Sequence, residues 1–225
     1  MSAPYTVVIP AYKAAGFIGE TLSAILAQAM PPQRIIVVDD GSPDDTAGAV
    51  RAVAGPIDYV RQDNTGPGAA TTRGFALVDT DLVATCDADD LWLPQKAGTQ
   101  LAALAHDPAL AGVFARMADF RGDPASADFS KAYDGWNRST MFIRTAVAAS
   151  TGAIIDPKSG AGDMIDWLAR VREGGHRLEM LPEVLALRRV HEGSLTYRDR
   201  GGLTKAYLEV VRAAMERRRK ADTEK

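Results

Sequence analysis

Arg34-Ile35-Ile36-Val37-Val38-Asp39-Asp40-Gly41-Ser42-Pro43-Asp44-Asp45-Thr46 starts as an unbroken β-branched run and stops in acidic residues and turn formers. Apolar side chains at successive positions belong to a strand covered on both faces, the mark of a parallel sheet between helices. Ser42, with Asp45 three residues on, has the form of a capping box, so a helix is expected to begin near Pro43 or Asp44. Upstream, Tyr5-Thr6-Val7-Val8-Ile9-Pro10 reads as an earlier strand and Ala11 to Gly16 as a loop. Ile18, Leu22, Ile25 and Leu26 then share one face of a helix. Downstream come a short strand at Asp58 to Arg61, a third helix and a further apolar run. This alternation predicts an open α/β sheet, whose ligands bind beyond the carboxyl ends of the strands.

That last run is Val83-Ala84-Thr85-Cys86-Asp87-Ala88-Asp89-Asp90-Leu91-Trp92-Leu93-Pro94. Like the run at Arg34, it ends in clustered carboxylates. Folding gains nothing from like charges so close. They become useful around a hard divalent cation, since Mg2+ or Mn2+ takes oxygen ligands from carboxylates and substrate phosphates. The bland reading is a solvated acidic turn in which Asp90 caps the next helix, opened by Pro94. Two acidic clusters at neighbouring strand ends favour the chemical reading.

Val8-Ile9-Pro10-Ala11-Tyr12, Ile36 to Ser42 and Asp87 to Pro94, in this order and spacing, resemble the nucleotide-sugar motifs of the family 2 glycosyltransferases. The resemblance is close over the first half of the chain and looser to about Thr196. It implies the GT-A fold: an α/β, Rossmann-like, open and mostly parallel sheet flanked by helices, with an acceptor-side second half. It also implies an inverting transfer of sugar from a nucleoside-diphosphate donor, UDP-sugar first among donors, with Mn2+ or Mg2+ as cofactor. Residues 1–198 are then one catalytic domain, 1–95 binding the donor and 96–198 supplying the acceptor side and the base. Residues 199–225 are expected to form a C-terminal helix.

By the same resemblance, Pro10, Ala11 and Tyr12 lie along the nucleoside. Asp40 accepts from the base, and Asp39 shapes the turn beside it. Asp89 is the more direct metal ligand, and Asp87 addresses the ribose or the metal through water, with Ala88 between them. Asn64 to Ala70 matches a glycine-containing segment in which Gly68 lets the backbone approach the donor. Two positions depart from the family pattern: Lys13 stands where Asn is usual, and Thr71 where an Arg normally holds the donor. Arg73 is the nearby cation that could replace it.

The base departs too. The family has a Glu-Asp pair ahead of Trp and Arg; here the stretch is Gly162-Asp163-Met164-Ile165-Asp166-Trp167-Leu168-Ala169-Arg170, without the Glu. Asp163 and Asp166, three apart, share a helix face. Spacing to Trp167 favours Asp163, Asp166 stays close behind, and the other carboxylate suits the helix N-terminus. Arg188-Arg189-Val190-His191 resembles the family's Arg-x-His. His191 then completes the metal or diphosphate site, and Arg189 or Arg188 neutralises phosphate. His106 and His176 carry no such context.

The chain has 225 residues and net charge −3, so one core-forming domain is expected and nucleic acid is not a partner. The single Cys86 reads as a small buried hydrophobe in a reducing cytoplasm. With no signal peptide and no apolar run long enough to span a membrane, a cytoplasmic protein is expected. Phe120 to Gly135 reads as a loop over the acceptor side. Ser139 to Arg144 reads as a strand, with a helix from Ala146. Trp92 and Trp136 are the aromatics to place near a sugar, although core packing is the expected fate of each.

Leu203, Tyr207, Val210, Val211, Ala214 and Met215 give the closing helix one apolar stripe, and Arg217-Arg218-Arg219-Lys220 a basic end. The stripe is expected to pack on the domain or on a second copy in a homodimer. Docking of the basic end on the inner face of a membrane is the lesser alternative. The acceptor stays open among saccharide, lipid, peptide and small metabolite. A relative that binds nucleotide sugar without turnover and a nucleotidyltransferase stay open as alternatives. A phospho-acceptor signalling domain is disfavoured by length and by Asp87-Ala88-Asp89.

Overall fold

The computed structural model describes residues 3–156, 162–192, 210–215, 217 and 219. Strand β1 (Tyr5–Ala11) lies between β2 (Arg34–Asp39) and β4 (Leu82–Thr85), and β3 (Ile57–Arg61) flanks β2 at the edge. All these pairings are parallel, in the register Val8 to Ile36 and Val8 to Thr85. Every residue of β1 is buried, as a strand covered on both faces requires. Helix α1 (Ile18–Leu26) buries Ile18, Leu22 and Ile25 on one side of the sheet. Helix α3 (Pro67–Phe75) covers the other side so closely that a Cβ on Gly74 would overlap Val8.

Antiparallel pairing enters in the second half. Strand β8 (Phe142–Arg144) runs against β4 and against β6 (Leu110–Phe120). Strand β9 (Arg177–Arg189) is parallel to β6, and short β5 (Leu91–Trp92) and β7 (Tyr133–Asp134) add to β9 and β6. The sheet order is β3-β2-β1-β4-β8-β6-β9-β5, with β7 beside β6. This is the GT-A fold that the motifs imply, parallel in its first half and mixed beyond it. Helices α4 (Lys96–His106), α5 (Thr145–Thr151) and α6 (Asp163–Glu173) complete the layers.

Several local expectations are corrected. Helix α2 (Thr46–Arg51) starts later than Pro43. Asp45 caps it by accepting the Gly48 N–H at 2.9 Å, so Ser42 makes no capping box. Ser42 instead accepts the Lys13 N–H at 3.0 Å and donates its own N–H to Asp39 Oδ1 at 2.8 Å. Residues 120–135 are not one loop: they hold two short 3-10 turns, Pro124–Ser126 and Phe129–Lys131, and β7. The strand expected from Ser139 begins at Phe142, because Arg138–Thr140 form a 3-10 turn.

Of the closing stripe, Leu203 and Tyr207 lie outside the described residues, as do Arg218, Lys220 and the segment from Gly193 to Thr196. Residues 210–215 are helical and Val210 is buried. Arg217 pairs with Asp166 and Glu173 of α6, both at 2.9 Å. Among the described residues no helix is long and apolar enough to cross a membrane.

Candidate active site

A cleft of about 750 Å³ opens at the carboxyl ends of β1, β2 and β4. Its first wall is the loop after β1. Pro10, Ala11, Tyr12 and Lys13 line it, and Tyr12 leaves 48% of its surface exposed there. Backbone donors hold this loop: besides Lys13 on Ser42, the Ala14 N–H reaches Thr46 Oγ1 at 2.9 Å and the Ala15 N–H reaches Asp44 Oδ2 at 3.1 Å. The polar turn after β2 therefore shapes the loop after β1.

Asp40 lines the same end of the cleft. It accepts from Gln62 Nε2 at 2.8 Å and from the N–H groups of Thr65 and Gly66 at 2.9 and 2.8 Å. Asp39 is fully buried and does not line the cleft. Burial works against its charge, yet hydrogen bonds from Ser42 and Tyr59 and the Arg61 guanidinium outweigh it and lower the carboxyl pKa. Its part is to fix the turn that presents Asp40.

Gly68 also stands apart from the cleft, where donor contact was expected. The N–H groups of Gly68 and Ala69 donate to Asp156 at 2.9 and 3.1 Å, and a Cβ on Gly68 would strike that carboxylate and Ile154. The glycine makes room for Asp156 at the N-terminus of α3. Arg73 does not line the cleft; it donates to the Arg61 carbonyl at 3.2 Å. Thr71 is buried and bonds the Pro67 carbonyl at 2.7 Å.

The acidic stretch after β4 divides by side chain. Asp87, Ala88, Asp89 and Asp90 all line the cleft, Asp90 from a buried position. Asp89 Oδ2 lies 2.9 Å from His191 Nε2. Burial and then the charge of Asp87 raise the Asp89 carboxyl pKa, partly offset by His191. Asp90 is buried and caps no helix. It accepts the Arg189 N–H at 3.0 Å and the Ser139 hydroxyl, tying this turn to β9. Helix α4 follows Gln95 with no side-chain cap, so a solvated capping turn does not describe the stretch.

Asp87, Asp89 and His191 do not form the three-ligand cluster expected of them: Asp87 Oδ1 is taken by Arg138 Nε at 2.8 Å. Among the described residues no group of three His, Cys, Asp or Glu side chains is disposed as a metal cage. Asp89 and His191 are the side chains here that could hold a divalent cation, since a carboxylate oxygen and an imidazole nitrogen suit a hard or borderline ion.

The opposite wall comes from α6 and the turn before β8. Asp163 opens α6 after Gly162, which adopts φ 94°, and lines the cleft at 8% exposure. Asp166 does not line it: Arg170 and Arg217 each hold its carboxylate at 2.9 Å. Arg189 lines the cleft, held by Glu20 and, at 3.0 Å, by the Asp89 carbonyl. Arg188 sits beside it against the Tyr133 hydroxyl at 3.3 Å. Trp136 reaches the cleft while stacking near Phe114 and under Arg172; Trp92 is core. The residues that sequence reasoning missed are Arg138, Tyr133, Asn137 and Asp156. Arg138 opens a 3-10 turn with Asn137 just before it, Tyr133 belongs to the two-residue strand β7 and Asp156 to irregular chain after α5. All lack periodicity, so only their polar identity could have pointed to them.

Fold and cleft together define an α/β domain of GT-A type with one cleft at the carboxyl ends of its parallel strands. The profile of glycosyl transferase family 2 matches residues 6–158, and the chain belongs to that family. Residues of this chain are 39% identical over 99 positions to the succinoglycan biosynthesis protein ExoW of Rhizobium meliloti, covering 41% of this chain and 31% of that protein. ExoU of the same organism is 34% identical over 99 positions, covering 42% and 29%. The chain thus spans under a third of these curated relatives. Among solved structures, S. aureus TarS in complex with UDP superposes with TM-score 0.72 at 17% identity, over 94% of this chain and 64% of that one. A mannosyltransferase from Pyrobaculum calidifontis in complex with GDP-Man and Mn2+ gives 0.73 at 20% identity, over 94% and 65%.

Proposed function

We propose that the protein is an inverting glycosyltransferase that moves a sugar from a nucleoside-diphosphate sugar, with UDP the first donor nucleotide to test, to an acceptor hydroxyl. One observation carries this reading: a single cleft joins Asp40 and Tyr12 at one end to Asp89, His191 and Asp163 at the other. Asp40 offers an acceptor to a base N–H, and the exposed Tyr12 face lies beside it. Arg188 and Arg189 offset diphosphate charge. Asp89 and His191 are the residues that would hold Mn2+ or Mg2+, which when bound stabilises a leaving diphosphate as a Lewis acid.

Asp163 takes the acceptor proton as the acceptor oxygen attacks the anomeric carbon. The bond from that carbon to the diphosphate oxygen breaks, and the nucleoside diphosphate leaves with the electron pair. Asp166 is the poorer base, because its carboxylate already serves two arginines. The TarS and mannosyltransferase structures, bound to UDP and to GDP-Man, support the choice of donors.

Melting temperatures with UDP-glucose, UDP-N-acetylglucosamine and GDP-mannose, with and without Mn2+, test the reading. Ligand-linked stabilisation grows as the logarithm of concentration over Kd. A metal-dependent rise together with release of nucleoside diphosphate supports it. Stabilisation with no turnover points to a binding-only relative, and no response to any of the three overturns it.

A further inference from the structure

Arg138 sits on the 3-10 turn before β8 and is 8% exposed. Its Nε donates to Asp87 Oδ1 at 2.8 Å, and its Nη1 donates to Asp163 Oδ2. One guanidinium therefore joins the first carboxylate of the donor-side stretch to the first residue of α6. The turn itself is fixed from both sides. Thr85 Oγ1 donates to the Arg138 carbonyl at 2.8 Å, and Ser139 Oγ accepts the Asp87 N–H at 3.1 Å while it donates to Asp90. Gln100 of α4 donates to the Thr140 carbonyl at 2.7 Å.

Stability alone gives little reason for such an array. The Arg138 and Asp163 side chains are 9% and 11% exposed and Asp87 35%. Taking two of these charges out of water is costly, and apolar residues of equal volume often replace buried ion pairs without loss. Burial works against the Arg138 charge, and the Asp87 and Asp163 carboxylates more than restore it. Both carboxylates also line the cleft. A planar fork fixes two acceptors in distance and direction at once, which a single ammonium cannot do.

We propose that Arg138 is a positioning residue that sets Asp163 against the donor by clamping it to Asp87, so that the proton acceptor and the donor-side wall move as one body. The inference rests on the glycosyltransferase reading. Arg138 touches neither reacting atom and acts through the two carboxylates. Its charge also keeps Asp163 from facing Asp87 unscreened.

The test uses the full chain with Mn2+ and the three nucleotide sugars named above, reading hydrolysis of the donor alongside binding of UDP and GDP by calorimetry. In Arg138→Lys, kcat should fall ~10- to 100-fold, the size expected for a misplacement near 1 Å, while KM, nucleotide affinity and melting temperature change little. Arg138→Gln should fall further. Asp163→Asn with Arg138→Lys should lose no more than Asp163→Asn alone, because groups acting as a unit are not additive.

A kcat for Arg138→Lys within twofold of the wild type overturns the proposal. So does a loss matched by equal losses of nucleotide affinity and melting temperature, or a fully additive double variant. If Arg138→Gln does not fold, Arg138→Lys and the double variant still decide. A wild-type chain that turns over none of the three sugars overturns the glycosyltransferase reading and this inference with it; an active chain with an unaffected Arg138→Lys overturns this inference alone.

Discussion

Asp89 and His191 meet at 2.9 Å although 102 residues separate them in the chain. The turn that carries Asp89 follows β4, and His191 follows β9, so the pair ties together the ends of two strands that β8 and β6 separate in the sheet. Phe17, the residue before α1, packs against the imidazole with ring centroids 4.6 Å apart. If this pair is the protein half of a cation site, His191→Ala should raise the Mn2+ concentration for half-maximal turnover by ~10- to 100-fold, at least the cost of losing an outer-shell partner. Kinetic titration with Mn2+ measures it. An unchanged half-saturation value would remove His191 from the site.

The two aspartates of α6 should separate cleanly. Asp163→Asn is expected to lower kcat by ~10²- to 10⁴-fold, the usual contribution of a positioned general base, with nucleotide affinity kept. Asp166→Asn should instead cost about 1 kcal/mol of stability through its part-exposed pairs with Arg170 and Arg217, with little effect on kcat. Activity that follows Asp166 and ignores Asp163 would reverse the assignment.

The donor half was readable because its signals are local. Ile35 to Val38 and Val7 to Ile9 declare buried strands by composition, and each strand end delivers its acidic residues to the same edge. Asp40 and Asp89 both line the one cleft. Spacing to Trp167 favours Asp163 but keeps Asp166 close behind, because helical spacing places both on one face; their tertiary partners differ, Arg138 for one and Arg170 with Arg217 for the other. Gly68 misled for a similar reason. A glycine announces close approach without saying of what, and the partner, Asp156, lies 88 residues away. Arg138 left no trace in any periodic pattern.

Lys13 accounts for one departure from the family pattern. It adopts φ 53°, the left-handed region, as the one non-glycine residue with positive φ among those described. Asn tolerates this region better than a long side chain. Lys13→Asn should therefore stabilise the fold by ~0.5–1 kcal/mol, a share of the left-handed penalty, with the Ser42 hydrogen bond kept because it uses the backbone. A denaturant midpoint unchanged or lowered by the substitution would show that the lysine side chain contributes more than its backbone costs.

Lys96 gives a pH signature independent of the active site. It is fully buried, donates to Gln100 Oε1 at 2.6 Å and sits 3.8 Å over the Trp92 ring. Burial lowers its pKa from 10.5 to about 7. The folded-state value lies below the unfolded one, so between the two the unfolded chain binds more protons and stability rises with pH. Below about 7 both states are protonated, the folded one carrying a buried ammonium at full cost. The slope from pH 7 towards 10 should approach about 1.4 kcal/mol per unit at most, less whatever the Trp92 face returns to the charged form. Lys96→Met removes the proton and with it this slope; the Gln100 partner it also removes is a pH-independent loss. Urea unfolding of both chains at pH 6, 7, 8 and 9 isolates the effect as a difference. Parallel curves for the two chains would mean that Lys96 keeps an ordinary pKa in the fold, with the aromatic face sufficient to hold its charge.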